Sequence, residues 1–136
     1  MSLVLDASAV VELILRSKQG EAVEKLIADP AETLHAPHLV DLEVTQVLRR
    51  LVRSGKISVG RADLARVAFQ MLSIARYDHA TFLSRIWQLR DVLTSYDASY
   101  VALAESLGAP IVTLDRPMAE GKHGALIIRL SAPAKQ

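Results

Sequence analysis

The 136-residue chain contains no cysteine. That excludes a disulfide scaffold and thiolate metal sites, and it fits an intracellular compartment. Aromatic residues are scarce at 4%, although hydrophobic residues reach 51%. The core is therefore expected to be aliphatic, the usual mix for parallel strands covered by helices. No apolar run approaches the ~20 residues needed to span a bilayer. The N-terminus lacks a basic stretch, and Asp6 and Glu12 interrupt its apolar runs. No signal peptide is expected, and a cytoplasmic location is. Glycine-rich phosphate loops are missing too: there is neither GxGxxG nor GxxxxGK[ST]. Without repeats, low-complexity segments or a linker, residues 1–136 read as a single domain.

What is present alternates. Strands are expected at Leu3–Asp6, Thr33–Ala36, Ile74–Tyr77, Ile111–Leu114 and Ala125–Leu130. Helices are expected at Ala9–Leu15, Gly20–Ala28, up to Arg53 after Pro37-His38, from Ser58-Val59-Gly60, at Thr81–Leu89, and at Asp97–Leu107 before Gly108 and Pro110. In the helix after Gly60, Leu64, Ala68, Met71 and Leu72 share one face. Strands alternating with helices, without tight hairpin signals, predict a doubly wound, mainly parallel sheet with helices on both faces. Right-handed crossovers then bring the carboxyl ends of the strands to one edge, where ligands bind.

Four carboxylates point toward that edge or toward a buried face. Asp6 ends the run Leu3-Val4-Leu5, and Asp115 ends Ile111-Val112-Thr113-Leu114. In "PHLVDLEVTQVLRRL", Glu43 falls inside the stripe made by Val40, Val44, Val47, Leu48 and Leu51, where an unpaired charge is costly. Asp97 is in register with Tyr100, Val101, Ala104 and Leu107. Carboxylates sharing a cleft repel unless protons or cations neutralise them. Oxygen-only ligands select hard cations such as Mg²⁺ or Mn²⁺. Such ions can activate water and stabilise a leaving oxygen in phosphodiester cleavage. Setting these four aside from the 15 acids leaves 11 against 16 bases, a basic surface suited to an anionic polymer.

Each acid also has a plainer reading. Asp6 could cap the following helix, Thr94 and Asp97 could form a capping box, and Asp115-Arg116-Pro117 could be a turn. Glu43 could pair with Arg90 or Arg116. His35 and His38 have HxxH spacing but read as surface or supporting residues, and Ser8 and Ser99 have no triad around them. Trp87, near Leu83 and Ile86, reads as packing. Arg49, Arg50, Arg53 and Lys56 form either a solvated helix end or a phosphate-contacting patch. Val10, Val11, Leu13, Ile14 and Leu15 crowd one short helix, which is either covered by a partner or held wholly inside.

The ordered set of motifs resembles PIN-domain ribonucleases, specifically VapC toxins of toxin–antitoxin modules. "VLDASAVVELIL" resembles the opening strand and helix with the first aspartate, and "HAPHLVDLEVTQVLRRLVRSGKIS" the segment with the glutamate. "LTSYDASYVALAESLGAPIVTLDRPMA" is the most specific match, and the likeness runs from Leu3 to about Leu130. It implies a three-layer α/β/α PIN-like fold and a Mg²⁺- or Mn²⁺-dependent endoribonuclease acting on tRNA or rRNA. It also implies inhibition by a VapB-type antitoxin, and a homodimer is expected. Asp6, Glu43, Asp97 and Asp115 match the acidic, metal-binding positions. Ser8 and Thr94 match small polar positions beside them, and residues 59–90 would shape RNA and antitoxin recognition. The alternative is a non-catalytic PIN-like module that binds RNA or protein and whose acids are structural.

Overall fold

Two short apolar strands, β1 (Ser2–Leu5) and β4 (Ile111–Thr113), run side by side through the middle of a five-stranded sheet. The computed structural model describes residues 1–114 and 116–130. The flanking strands are β2 (Thr33–Pro37), β3 (Ile74–Tyr77) and β5 (Ile127–Arg129). Their order is β3-β2-β1-β4-β5, and every neighbouring pair is parallel. Val4, Leu5, Ile111 and Val112 are fully buried, as expected of strands covered on both faces. The chain winds outward from β1 in one direction and from β4 in the other. The crevice at the carboxyl ends of β1 and β4 is thus the topological switch point.

The helices are α1 (Ala7–Ile14), α2 (Lys18–Ile27), α3 (Leu39–Arg53), α4 (Val59–Met71), α5 (Leu83–Gln88), α6 (Ser95–Leu107) and α7 (Arg116–Glu120). Among them, α1 packs against α2, α3 and α4, while α6 lies over β1, β2 and β4 and carries α5. This is the three-layer, doubly wound arrangement expected from the alternation. Boundaries shift slightly. β1 ends at Leu5, so Asp6 stands one residue past it, and β5 is shorter than Ala125–Leu130. The segment expected as one helix from Thr81 divides into a 3-10 turn (Ala80–Phe82) and α5.

The apolar crowding in α1 is resolved inside the molecule. Ala9 and Val10 are fully buried, Val11 and Ile14 nearly so, and Leu13 and Leu15 pack on the same core. A helix enclosed by three others needs more than one apolar face. In α4 the expected face is buried only in part: Ala68 and Leu72 pack against the core. Ala62, Ala65 and Phe69 face the core, whereas Leu64 and Met71 are exposed by 74% and 79%. Trp87, expected as packing, is exposed by 68%, with the Arg90 guanidinium 4.7 Å from its ring centroid.

The α1–α2 contact depends on Gly20. A Cβ at this position would run into the backbone carbonyl of Glu12 in α1. Backbone cannot rotate aside as a side chain can, so Gly20→Ala is expected to destabilise the fold by roughly 1–3 kcal/mol. A urea melt showing unchanged stability would rule this close approach out. Gly108 has a different function: at φ 62° it ends α6 in the left-handed conformation.

Candidate active site

Asp6 has backbone and side-chain duties that separate cleanly. Its N–H donates to the Val112 carbonyl (3.1 Å), and its own carbonyl accepts the N–H groups of Ala9 and Val10 to start α1. Its side chain makes no capping bond to α1, so the capping reading of this carboxylate fails. Instead Oδ2 accepts the Thr113 hydroxyl at 2.6 Å and the Ser8 hydroxyl at 2.9 Å. Ser8 Oγ in turn accepts the Leu114 N–H at 2.9 Å. The carboxylate after β1 is thereby fastened to the end of β4, across the switch point. Ser8 has the supporting position expected of it. Thr113, fully buried, was missed by sequence reasoning. Its only signal was a hydroxyl in an otherwise aliphatic strand.

Asp97 lies in the first turn of α6. Thr94 Oγ1 accepts its N–H at 3.1 Å, so Thr94 acts on Asp97 through the helix cap. Glu43 is presented by α3, whose buried side carries Val40, Val44 and Leu48. Its Oε1 accepts the Tyr100 hydroxyl at 2.7 Å. Tyr100 is fully buried. Its hydroxyl therefore connects α6 to α3. Sequence reasoning placed Tyr100 on the buried face of α6 but saw no polar duty for it. The Arg90 partner considered for Glu43 does not form: Arg90 lies over Trp87 and donates to its carbonyl at 3.0 Å. The Arg116 side chain and all of Asp115 lie outside the described residues.

Burial pushes the Tyr100 hydroxyl far above its ordinary ionisation range, and the charges of Asp6 and Glu43 push it further. The sign of the consequence follows from linkage. An unfolded tyrosine loses its proton near pH ~10, while the folded one keeps it. Stability is thus unaffected below that pH and falls above it, by up to about 1.4 kcal/mol per pH unit. Tyr100→Phe is expected to remove that slope. Urea melts of the two proteins from pH 9 to 11 measure it, and parallel curves would contradict the assignment.

Asp6, Glu43 and Asp97 line one cavity of about 420 Å³, together with Ser8, Gln46 and Arg50. The structure thus brings three of the four expected acids to one cleft. Among the described residues, no three His, Asp or Glu side chains form a group that could hold a metal ion directly. The donor set nevertheless suits Mg²⁺, which keeps several of its waters and needs only one or two carboxylates. The remaining candidates have local duties. His35 bonds Tyr77 Oη at 2.7 Å and Thr33 Oγ1 at 2.8 Å, and burial lowers its pKa. The Leu39 N–H donates to His79 Nε2, at the start of α3. Ser99 donates to the Tyr96 carbonyl within its own helix.

A parallel doubly wound sheet with a carboxylate-lined cleft at its switch point defines a class of α/β protein. Comparison with known proteins makes that class specific. The PIN domain model matches residues 3–123. Ribonuclease VapC9 of Mycobacterium tuberculosis is 42% identical over 113 residues, covering 83% of this chain and 85% of that protein. Ribonuclease VapC12 of the same species is 41% identical over 122 residues, covering 90% and 92%. The chain belongs to the PIN-domain family, among its VapC ribonucleases. Its fold is shared with VapBC2 from Rickettsia felis, in a crystal structure bound to a DNA fragment from their promoter. There the TM-score is 0.68 at 14% identity, over 96% of this chain and 100% of that one.

Proposed function

We propose that this protein is a metal-dependent endoribonuclease toxin, neutralised by a cognate VapB-type antitoxin. One observation carries the reading: Asp6, Glu43 and Asp97, from three separate elements, line a single cavity at the switch point of a PIN fold. Asp6, Glu43 and Asp97 would hold Mg²⁺ or Mn²⁺, with Asp115 as the fourth acid. A cation bound there supplies a water of lowered pKa and a counter-charge for the leaving oxygen. The chain's own residues do the positioning. Ser8 and Thr113 fix one oxygen of Asp6, Tyr100 fixes one oxygen of Glu43, and Thr94 sets the first turn that presents Asp97.

The substrate in this reading is RNA, with tRNA and rRNA the first classes to test. Assembly has a surface to use. Leu83, Trp87 and Tyr96 are exposed around an apolar cavity of about 480 Å³ that shares Leu39 and Tyr96 with the acidic one. A homodimer covering this patch would remove large apolar side chains from water. Among the described residues no helix is long and apolar enough to cross a membrane.

Among the described residues no three acids form a direct metal cage, and the second reading is a non-catalytic module that binds RNA or protein. One experiment separates the two. Purified protein is incubated with total RNA in Mg²⁺ or Mn²⁺, with and without EDTA. Discrete cleavage that stops in EDTA supports the enzyme, and RNA left intact under every condition supports the module.

A further inference from the structure

Among the described residues, the wall of the acidic cavity contains one cation, Arg50. Arg50 lies on α3 seven residues beyond Glu43, about 10 Å along the helix axis at 1.5 Å per residue, on the side that also presents Gln46 and Val47 to the cavity. A guanidinium beside three carboxylates is expected to pair with one of them. The ion pairs among the described residues are Arg66–Asp63, Arg76–Asp41 and Arg85–Glu105. Arg50 makes no side-chain hydrogen bond to any described residue. Arg49, Arg53 and Lys56, on or just beyond the same helix end, are likewise exposed and belong to none of those pairs. A basic helix end thus adjoins the acids, with its own side chains in no ion pair among the described residues.

We infer that Arg50, with Gln46 beside it, is a phosphate-binding site for the RNA strand, holding a phosphodiester next to the one positioned at Asp6, Glu43 and Asp97. This rests on the ribonuclease reading and adds the strand's path, from the acids along α3 toward its basic C-terminal end. The chemistry is complementary. A planar guanidinium with five fixed donors matches phosphate oxygens in two-pronged fashion, and Gln46 can donate alongside it. Cationic residues beyond the cavity would extend the track for a polyanion and repay its approach to an acidic cleft. Arg50 would touch substrate without touching the reacting phosphorus, so its loss should appear in binding.

The test measures anisotropy of a labelled single-stranded RNA of mixed sequence, in EDTA, at several salt concentrations. Arg50→Gln is expected to weaken binding about tenfold. It should also flatten the slope of log affinity against log salt by about 0.7, the value of one phosphate contact on a single strand. Arg50→Lys should restore the slope but not all of the affinity, because it keeps charge and loses the fork. Lys25→Gln, on the outer side of α2, removes an equal charge and should leave affinity and slope nearly unchanged. Urea melts of Arg50→Gln should match wild type, since the side chain supports nothing in the fold. If wild type cuts RNA in Mg²⁺ and Arg50→Gln binds with wild-type affinity and slope, the phosphate site is overturned while the ribonuclease stands. Equal losses in Arg50→Gln and Lys25→Gln would overturn it too, by showing only a diffuse effect of net charge. If wild type neither cuts nor binds RNA, the ribonuclease reading fails and the phosphate site with it.

Discussion

Asp6→Asn is expected to abolish RNA cleavage while leaving the fold intact. Asparagine keeps the size of the side chain, and its carbonyl oxygen can still accept the Ser8 and Thr113 hydroxyls that now reach Oδ2. What disappears is the negative charge, almost fully buried at 5% exposure, where an oxygen ligand for a hard cation is proposed. Removing a residue that supports a ligand typically costs about 10–100-fold in metal affinity or activity. Ser8→Ala and Thr113→Val should fall in that range, and Asp6→Asn well beyond it. EDTA should reproduce the Asp6→Asn result in wild type. The checks are gel assays of RNA cleavage in Mg²⁺ and Mn²⁺ and direct titration of Mn²⁺ binding. Undiminished cutting by Asp6→Asn, or by wild type in excess chelator, would reject metal chemistry at this cleft.

The acids could be found from sequence because each obeys a local rule. Asp6 follows an apolar strand, Glu43 interrupts an apolar helix stripe, and Asp97 opens a helix. What holds them is not local. Thr113 reaches Asp6 across 107 residues, and Tyr100 reaches Glu43 across 57. Periodicity shows that these side chains point inward but cannot show which polar group they meet. The same limit explains why the expected face of α4 packs against the core only at Ala68 and Leu72. That helix carries apolar residues on both sides: Leu64 and Met71 on one, and Ala62, Ala65 and Phe69 on the other. Small alanines on the packed side let α4 lie close to α1, and only the tertiary neighbour decides between the two faces. For α1 the ambiguity lay between burial by a partner and burial inside. Enclosure by α2, α3 and α4 settles it for Val10, Val11 and Ile14.

Glu43→Gln is the sharper test of what the carboxylate on α3 is for. The amide keeps an oxygen for the Tyr100 hydroxyl, so the buried phenol stays hydrogen-bonded and the α3–α6 contact persists. Shape, packing and that bond are all preserved, and the charge alone is lost. If Glu43 serves a metal site, RNA cleavage should fall by orders of magnitude. Apo-protein stability should hold within about 0.5 kcal/mol or rise, because repulsion from Asp6 and Asp97 across the cavity is relieved. Glu43→Ala is the informative contrast. It leaves the fully buried Tyr100 hydroxyl without that acceptor, at a cost of about 1–3 kcal/mol. A structural ion pair predicts a different pattern. Losing the charge would then strand a cation and cost roughly 3–5 kcal/mol, and the cation first considered, Arg90, is occupied with Trp87. Urea melts of apo wild type, Glu43→Gln and Glu43→Ala, run beside the cleavage assay, distinguish the two. A Glu43→Gln protein that is strongly destabilised, yet still cuts RNA whenever it is folded, would remove Glu43 from the metal site and return it to the scaffold.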